Sequence, residues 1–241
     1  MRPACAVEFG SPVPVIMQYL VRHTCQGPHM TLPVDHRDFN FPPLRKAELL
    51  ADPFAQFERW VAEARAAKVS DWEAVTLATA TPDGHPSARV VFLRGADARG
   101  FDFYTNYDSR KGRQLAANSH AALVLHWREL ERQICIEGTV ARMSAEESDA
   151  YFADRPKQSQ LGAWASAQSE PLDSAEVLEQ RVDELRSRFA HGPIPRPVHW
   201  GGYRLVPNRI EFWQGRPSRL HDRFVYDLQA DGTWAKQRLN P

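Results

Sequence analysis

Basic and aromatic side chains crowd one stretch near the C-terminus, where Ile210-Glu211-Phe212-Trp213-Gln214-Gly215 is followed by Arg219-Leu220-His221-Asp222-Arg223-Phe224. Alternating apolar and polar residues around Phe212 and Phe224 predict two short strands joined by a turn over residues 215–218. On a strand of period two, Arg219, His221 and Arg223 share one face, so two guanidiniums and an imidazole converge on an anionic or electron-rich ligand. The plainer alternative is a strand with a solvated basic face.

Two further groups could seat phosphates. Arg89 and Arg94 on one strand, Tyr104-Thr105 on the next, and Ser109-Arg110-Lys111 at a helix start combine hydroxyls, cations and free helix amides. In Tyr151-Phe152-Ala153-Asp154-Arg155-Pro156-Lys157-Gln158-Ser159, Pro156 disfavours helix at Arg155 and suits the first position of a new one. Tyr151 and Arg155, four apart, then share a side, and Ser159 falls in the new helix's first turn. Taken singly, these two groups read as a solvated helix end and a helix corner. Gln133 and the pair Gln168-Ser169 offer neutral hydrogen-bonding groups, and Trp213 could wall a cleft.

The elements that must position these groups follow from periodicity. Leu49, Leu50, Phe54, Phe57, Trp60 and Val61 recur at helical spacing, predicting one or two helices over 45–68 with a restart at Asp52-Pro53. Strands are expected over 74–80, 87–93, 101–105, 121–127 and 133–140, with a turn at Pro82-Asp83-Gly84. Helices are expected over 109–118, with Ser109 as N-cap, and over 144–154, 158–166 and 174–190; three strands close the chain. Two strand groups with helices between them point to an α+β fold, an antiparallel sheet closed into a small barrel with peripheral helices.

Composition narrows the functional classes. Lys plus Arg and Asp plus Glu number 30 each, so no net charge favours a nucleic acid or membrane surface, and any basic site must be local. The three cysteines, Cys5, Cys25 and Cys135, form no close pair, which argues against a disulfide framework or a metal site and fits a reducing cytoplasm. The apolar run 13–21 is too short to span a membrane and carries Pro14 and Gln18. Neither Gly-x-Gly-x-x-Gly nor a P-loop is present, so side chains must supply much of any phosphate site. Residues 1–43 are expected to be a partly disordered extension preceding one domain over 44–241.

From about Leu44 to Pro241 the chain resembles the pyridoxine/pyridoxamine 5′-phosphate oxidases, most specifically in Ile210-Glu211-Phe212-Trp213-Gln214-Gly215 and Arg219-Leu220-His221-Asp222-Arg223. The resemblance implies an FMN-binding split β-barrel, a homodimer with FMN between subunits, and O2-dependent oxidation of phosphorylated B6 vitamers to pyridoxal 5′-phosphate. It further implies FMN contacts at Arg89, Tyr104, Thr105, Arg110, Lys111, Gln133, Gln168, Ser169, Trp213 and Arg223. The substrate phosphate would lie on Arg94, Tyr151, Arg155 and Ser159, with Arg219 and His221 beside the pyridine ring. Two departures stand out: Arg94 replaces the family's lysine, and His36-Arg37-Asp38-Phe39 stands where relatives often carry Arg-x-x-Tyr. The alternatives are a related flavin oxidase of phenazine-type biosynthesis and a non-catalytic flavin- or pyridoxal-phosphate-binding protein.

Overall fold

The first long helix starts where a side chain can satisfy its free amides. In the computed structural model, which describes residues 39–241, Asp52 accepts from the backbone N–H of Phe54 (3.1 Å) and Ala55 (3.4 Å). Pro53 follows, fixing helical φ where no amide partner is needed. The expected helical region thus resolves into a 3₁₀ turn, Lys46–Glu48, and helix α1, Pro53–Ala66. Helix α1 buries Phe54, Phe57, Trp60 and Ala64 along one stripe. Its rings meet the sheet at Phe101, stacked on Phe54 and edge-on to Phe57, and at Phe212, edge-on to Trp60.

Eight antiparallel strands follow: β1 (Ala74–Ala80), β2 (Pro86–Asp97), β3 (Gly100–Asn106), β4 (His120–Trp127), β5 (Arg132–Arg142), β6 (Trp200–Gln214), β7 (Asp222–Leu228) and β8 (Trp234–Leu239). Their order is β3-β2-β1-β4-β5-β6-β7-β8, and β3 also pairs with β6, so six strands close into a barrel while β7 and β8 extend from it. Closure removes the unpaired edges that β3 would otherwise expose. The inward positions hold Leu77, Phe101, Phe103, Leu123, Leu125, Ile134, Ile136, Leu205, Ile210 and Phe212, all fully shielded from water. Each such side chain contributes about 1.5–3 kcal/mol of apolar burial.

Between strands lie α2 (Arg110–Ala117), α3 (Ala145–Ala153), α4 (Lys157–Ala165) and α5 (Ala175–Arg188). Ser109 caps α2 by accepting from Gly112 N–H, and Ser144 with Glu147 forms a capping box on α3. A second apolar cluster, Phe152, Leu161, Ile194 and Trp200, joins α3 and α4 to the start of β6. Most of the expected extension, residues 1–38, lies outside the described residues, as do Cys5, Cys25 and the apolar run 13–21. Among the described residues no helix is long and apolar enough to cross a membrane.

Two local expectations are corrected. Strand β2 continues to Asp97, and because Leu93 pairs with Phe103 while Gly95 pairs with Asp102, Arg94 is the extra residue of a β-bulge. At the C-terminus, Arg219 is not on a strand: β6 ends at Gln214, β7 begins at Asp222, and Pro217–Arg219 is a 3₁₀ turn. Pro217 has no N–H to give a ladder, and Ser218 and Arg219 adopt left-handed φ of +56° and +60°. The predicted alternation of Arg219, His221 and Arg223 on one strand face is therefore broken.

Candidate functional site

A cleft of about 500 Å³ opens where β2, β3 and the start of β6 face α2 and the α3–α4 corner. Nine of the residues singled out from sequence line it: Arg89, Arg94, Tyr104, Thr105, Lys111, Tyr151, Arg155, Ser159 and Gln168. Four of its lining residues are cationic and none is a carboxylate. The two anion seats read separately from sequence are thus one electropositive cavity with two ends.

At the first end, Lys111 Nζ donates to Gln168 Oε1 (2.7 Å), Thr105 Oγ1 (3.0 Å) and Ser109 Oγ (3.4 Å), all neutral acceptors. Burial, with Arg89 nearby, pushes its ammonium down to about 8. Burial and then Arg110 likewise lower the Arg89 guanidinium. Both cations lack the anion that would offset their desolvation. Ser169 sits against the helix start, its Oγ accepting from Arg110 N–H (3.1 Å), while the Arg110 side chain is exposed. Gly112 lets α2 approach this closely, since a Cβ there would lie 2.0 Å from the Tyr107 carbonyl oxygen.

At the second end, α3 stops, Pro156 caps α4, and Arg155 is held between them. Its guanidinium lies 4.4 Å from the Trp200 ring centroid, and Nη1 is buried without a hydrogen-bond partner. Burial lowers its pKa, against Tyr151, which raises it, and with Arg94, which lowers it further. A buried, unpartnered guanidinium donor beside a second arginine fits an anionic ligand group. Tyr151 stacks on Tyr104 at 3.7 Å between centroids, and burial, then Asp102, pushes the Tyr104 phenol up to about 12, so it remains a donor.

The remaining predicted residues lie elsewhere. Gln133 pairs in register with Trp213, and Trp213 with Arg223, at the far end of β6. Tyr104 pairs with Gly202 near the start of that strand, eleven positions from Trp213, roughly 35 Å of strand path at ~3.3 Å per residue. Arg223 is bound bidentately by Glu211 (2.8 and 2.9 Å). His221 packs on Trp213 with centroids 4.6 Å apart, and its Nδ1 accepts from Arg216 N–H (3.1 Å). Burial, then Arg219, lowers the His221 pKa against the opposing pull of Asp222, so the ring is neutral at pH 7 with its proton on Nε2. Arg219 is exposed. The predicted residues of one chain therefore fall into two separated groups, one lining the cleft and one at the far end of β6.

Sequence reasoning missed Trp200, which lines the cleft, lies under Arg155 and stacks at 5.7 Å on Tyr104. Its neighbours Gly201-Gly202 are the available signal, because a Cβ at Gly202 would sit 2.9 Å from the Tyr104 ring. It also missed Thr79, Ser87 and Gln114, which surround Arg89.

Comparison with known proteins decides what this architecture belongs to. Residues 61–189 match the family described as pyridoxamine 5′-phosphate oxidase, and residues 200–241 match the pyridoxine 5′-phosphate oxidase C-terminal dimerisation region. The chain belongs to the pyridoxamine 5′-phosphate oxidase family. It is 56% identical over 198 residues to a pyridoxine/pyridoxamine 5′-phosphate oxidase of Cupriavidus pinatubonensis, covering 82% of this chain and 93% of that protein. It is 59% identical over 190 residues to that of Rubrobacter xylanophilus, covering 79% and 87%. Among solved structures, PhzG from Burkholderia lata 383, in complex with tetrahydrophenazine-1-carboxylic acid, superposes with TM-score 0.79 at 34% identity, covering 85% of this chain and all of that one. This pyridoxamine 5′-phosphate oxidase family member is thus an oxidoreductase on a split-barrel scaffold, and its dimerisation region contains Trp213, Arg219, His221 and Arg223.

Proposed function

We propose that this protein is an FMN-dependent oxidase of pyridoxine 5′-phosphate and pyridoxamine 5′-phosphate. The alcohol and O2 give pyridoxal 5′-phosphate and hydrogen peroxide; the amine, O2 and water give the same products plus ammonia. The observation that carries this reading is the single cleft with two anion seats, four cations and no lining carboxylate. A phosphorylated cofactor and a phosphorylated substrate together account for both seats.

FMN, when bound, supplies the hydride acceptor and its reoxidation by O2. Arg89, Arg110, Lys111, Tyr104, Thr105, Gln168 and Ser169 hold it from the cleft side, and Gln133, Trp213 and Arg223 from the C-terminal half-site. Lys111 and Arg89, hydrogen-bonded only to neutral acceptors, fit such a dianion. Arg94, Tyr151, Arg155 and Ser159 take the substrate phosphate. Arg94, the extra residue of the bulge, would bring its fork to the phosphate in place of the family's lysine ammonium, leaving Glu73, which now lies 3.8 Å from its Nη1. Arg219 and His221 orient the pyridine ring, His221 offering Nε2–H because Nδ1 is occupied by Arg216 N–H.

The half-sites lie at opposite ends of β6, which supports a homodimer in which each cleft is completed by the C-terminal loop of the second copy. Subunit mixing tests this. Arg155→Met and His221→Ala, each nearly inactive alone, regain about a quarter of wild-type activity when co-refolded if the site is shared, because half the dimers then carry one intact site. No recovery places both half-sites in one subunit's own reaction.

The likeness to PhzG favours a second reading, oxidation of a larger carboxylated ring system. Oxygen uptake by the FMN-supplemented protein separates the two. Uptake with aldehyde formation from pyridoxine 5′-phosphate, and none from pyridoxine, supports the first reading. FMN binding without either signal, for the amine as well, rejects it.

A further inference from the structure

Several partly buried arginines pair with carboxylates: Arg132 on β5 with Glu63 (2.5 Å), Arg204 on β6 with Asp102 (2.7 Å) and Arg196, just before β6, with Asp149 (2.6 Å). Arg89 does not. Nη1 donates to Thr79 Oγ1 (2.7 Å) and Leu77 O (3.1 Å), and Nη2 to Ser87 Oγ (2.6 Å) and Gln114 Oε1 (3.3 Å). Both hydroxyls accept from Arg89 and so must send their own protons elsewhere. Each sends it to Gln114 Oε1, Thr79 at 2.7 Å and Ser87 at 2.8 Å. Guanidinium has donors only, so the amide face turned to it is the oxygen. Gln114, 6% exposed on α2, is the common terminus of both relays.

We infer that Gln114 is a positioning residue that, through Thr79 and Ser87, fixes Arg89 in the wall of the cleft while leaving its positive charge without a carboxylate partner and so available to a phosphate. A glutamate of the same shape would satisfy the same hydroxyls and would also neutralise Arg89. The neutral amide orients the cation without competing with the ligand. Because Gln114 sits on the helix whose N-terminus carries Lys111, the same contact ties the two cations of the seat to one rigid element. This inference rests on the proposed FMN reading of the cleft.

The test compares FMN with riboflavin, which lacks the phosphate, by flavin fluorescence quenching on wild type, Gln114→Glu, Gln114→Met and Arg89→Ala. Wild type is expected to prefer FMN strongly. Gln114→Glu should weaken FMN by about tenfold or more, the scale of one charge-assisted contact, and leave riboflavin nearly unchanged. Gln114→Met, which keeps the shape and removes the acceptor, should lose part of the same preference, and it carries the test if the buried glutamate prevents folding. A merely structural role would weaken both flavins alike. Equal losses for the two flavins, or an intact FMN preference in both Gln114 variants while Arg89→Ala loses it, overturns the inference and leaves the FMN reading standing. A wild type that binds neither flavin, or binds both equally, overturns both.

Discussion

Replacing Arg155 by methionine should weaken substrate binding without weakening the fold. Its Nη1 is buried without a partner, and an unsatisfied buried donor costs about 1–3 kcal/mol. Stacking on Trp200 at 4.4 Å returns about 0.5–2 kcal/mol, and a methionine keeps the apolar stem that packs there. The apo-protein should therefore range from unchanged to about 2 kcal/mol more stable. At about 2–4 °C per kcal/mol for a domain of this size, Tm stays put or rises by several degrees, measured at one protein concentration. The substrate loses a charge-assisted phosphate contact of about 1.5–3 kcal/mol, so kcat/KM for pyridoxine 5′-phosphate should fall by roughly 10–150-fold. FMN affinity should hardly move, because Arg155 lies at the other end of the cleft from Arg89 and Lys111. A Tm several degrees lower, with kcat/KM for the phosphorylated substrate within about threefold of wild type, would refute the reasoning, because Arg155 would then be structural.

Three further outcomes follow from the same geometry. Lys111 titrates near 8, well below the usual lysine value of 10.5, so its charge fades as pH rises from 7 to 9, where FMN is already a dianion. FMN affinity should fall by up to about tenfold over that range, and Lys111→Met should abolish the pH dependence; a flat wild-type profile counts against Lys111 as an anion contact. Gly112→Ala would drive a Cβ into the Tyr107 carbonyl and push α2 outward, destabilising the protein by about 1–3 kcal/mol in thermal melts and weakening FMN, whereas unchanged FMN affinity would show that α2 does not form the seat. Asp222 is buried, accepts from Leu44 N–H (3.0 Å) and Arg238 (2.6 Å), and lies 3.5 Å from Arg216. Asp222→Asn should cost about 3 kcal/mol and expose the chain near Leu44 to proteolysis; a protection pattern like wild type would show that Asp222 does not anchor that segment.

The local signals were legible. Strand alternation, the Ser109 cap, the Pro156 break and the Asp52-Pro53 helix start each depend on neighbours a few positions away, and the structure has them within a few residues of the expected places. The residue types able to hold phosphate were legible for the same reason, since donor capacity and charge belong to the side chain itself.

What the tertiary structure decided is where those groups meet. Pairing of β3 with β6 brings Tyr104 beside Gly202 and Trp200, about a hundred positions away, and Thr105 reaches Gln168 across 63 positions. No local period encodes such contacts. The bulge at Arg94 depends on register with β3, and the turn that takes Arg219 out of the strand depends on left-handed backbone at Ser218 and Arg219, residue types with no special preference for it. Sequence determined which elements form and which chemistry is available, because those are short-range properties; the merging of the two predicted cationic groups into one cleft comes from barrel closure, which joins residues far apart in the chain, and the separation of the C-terminal group comes from the length of β6.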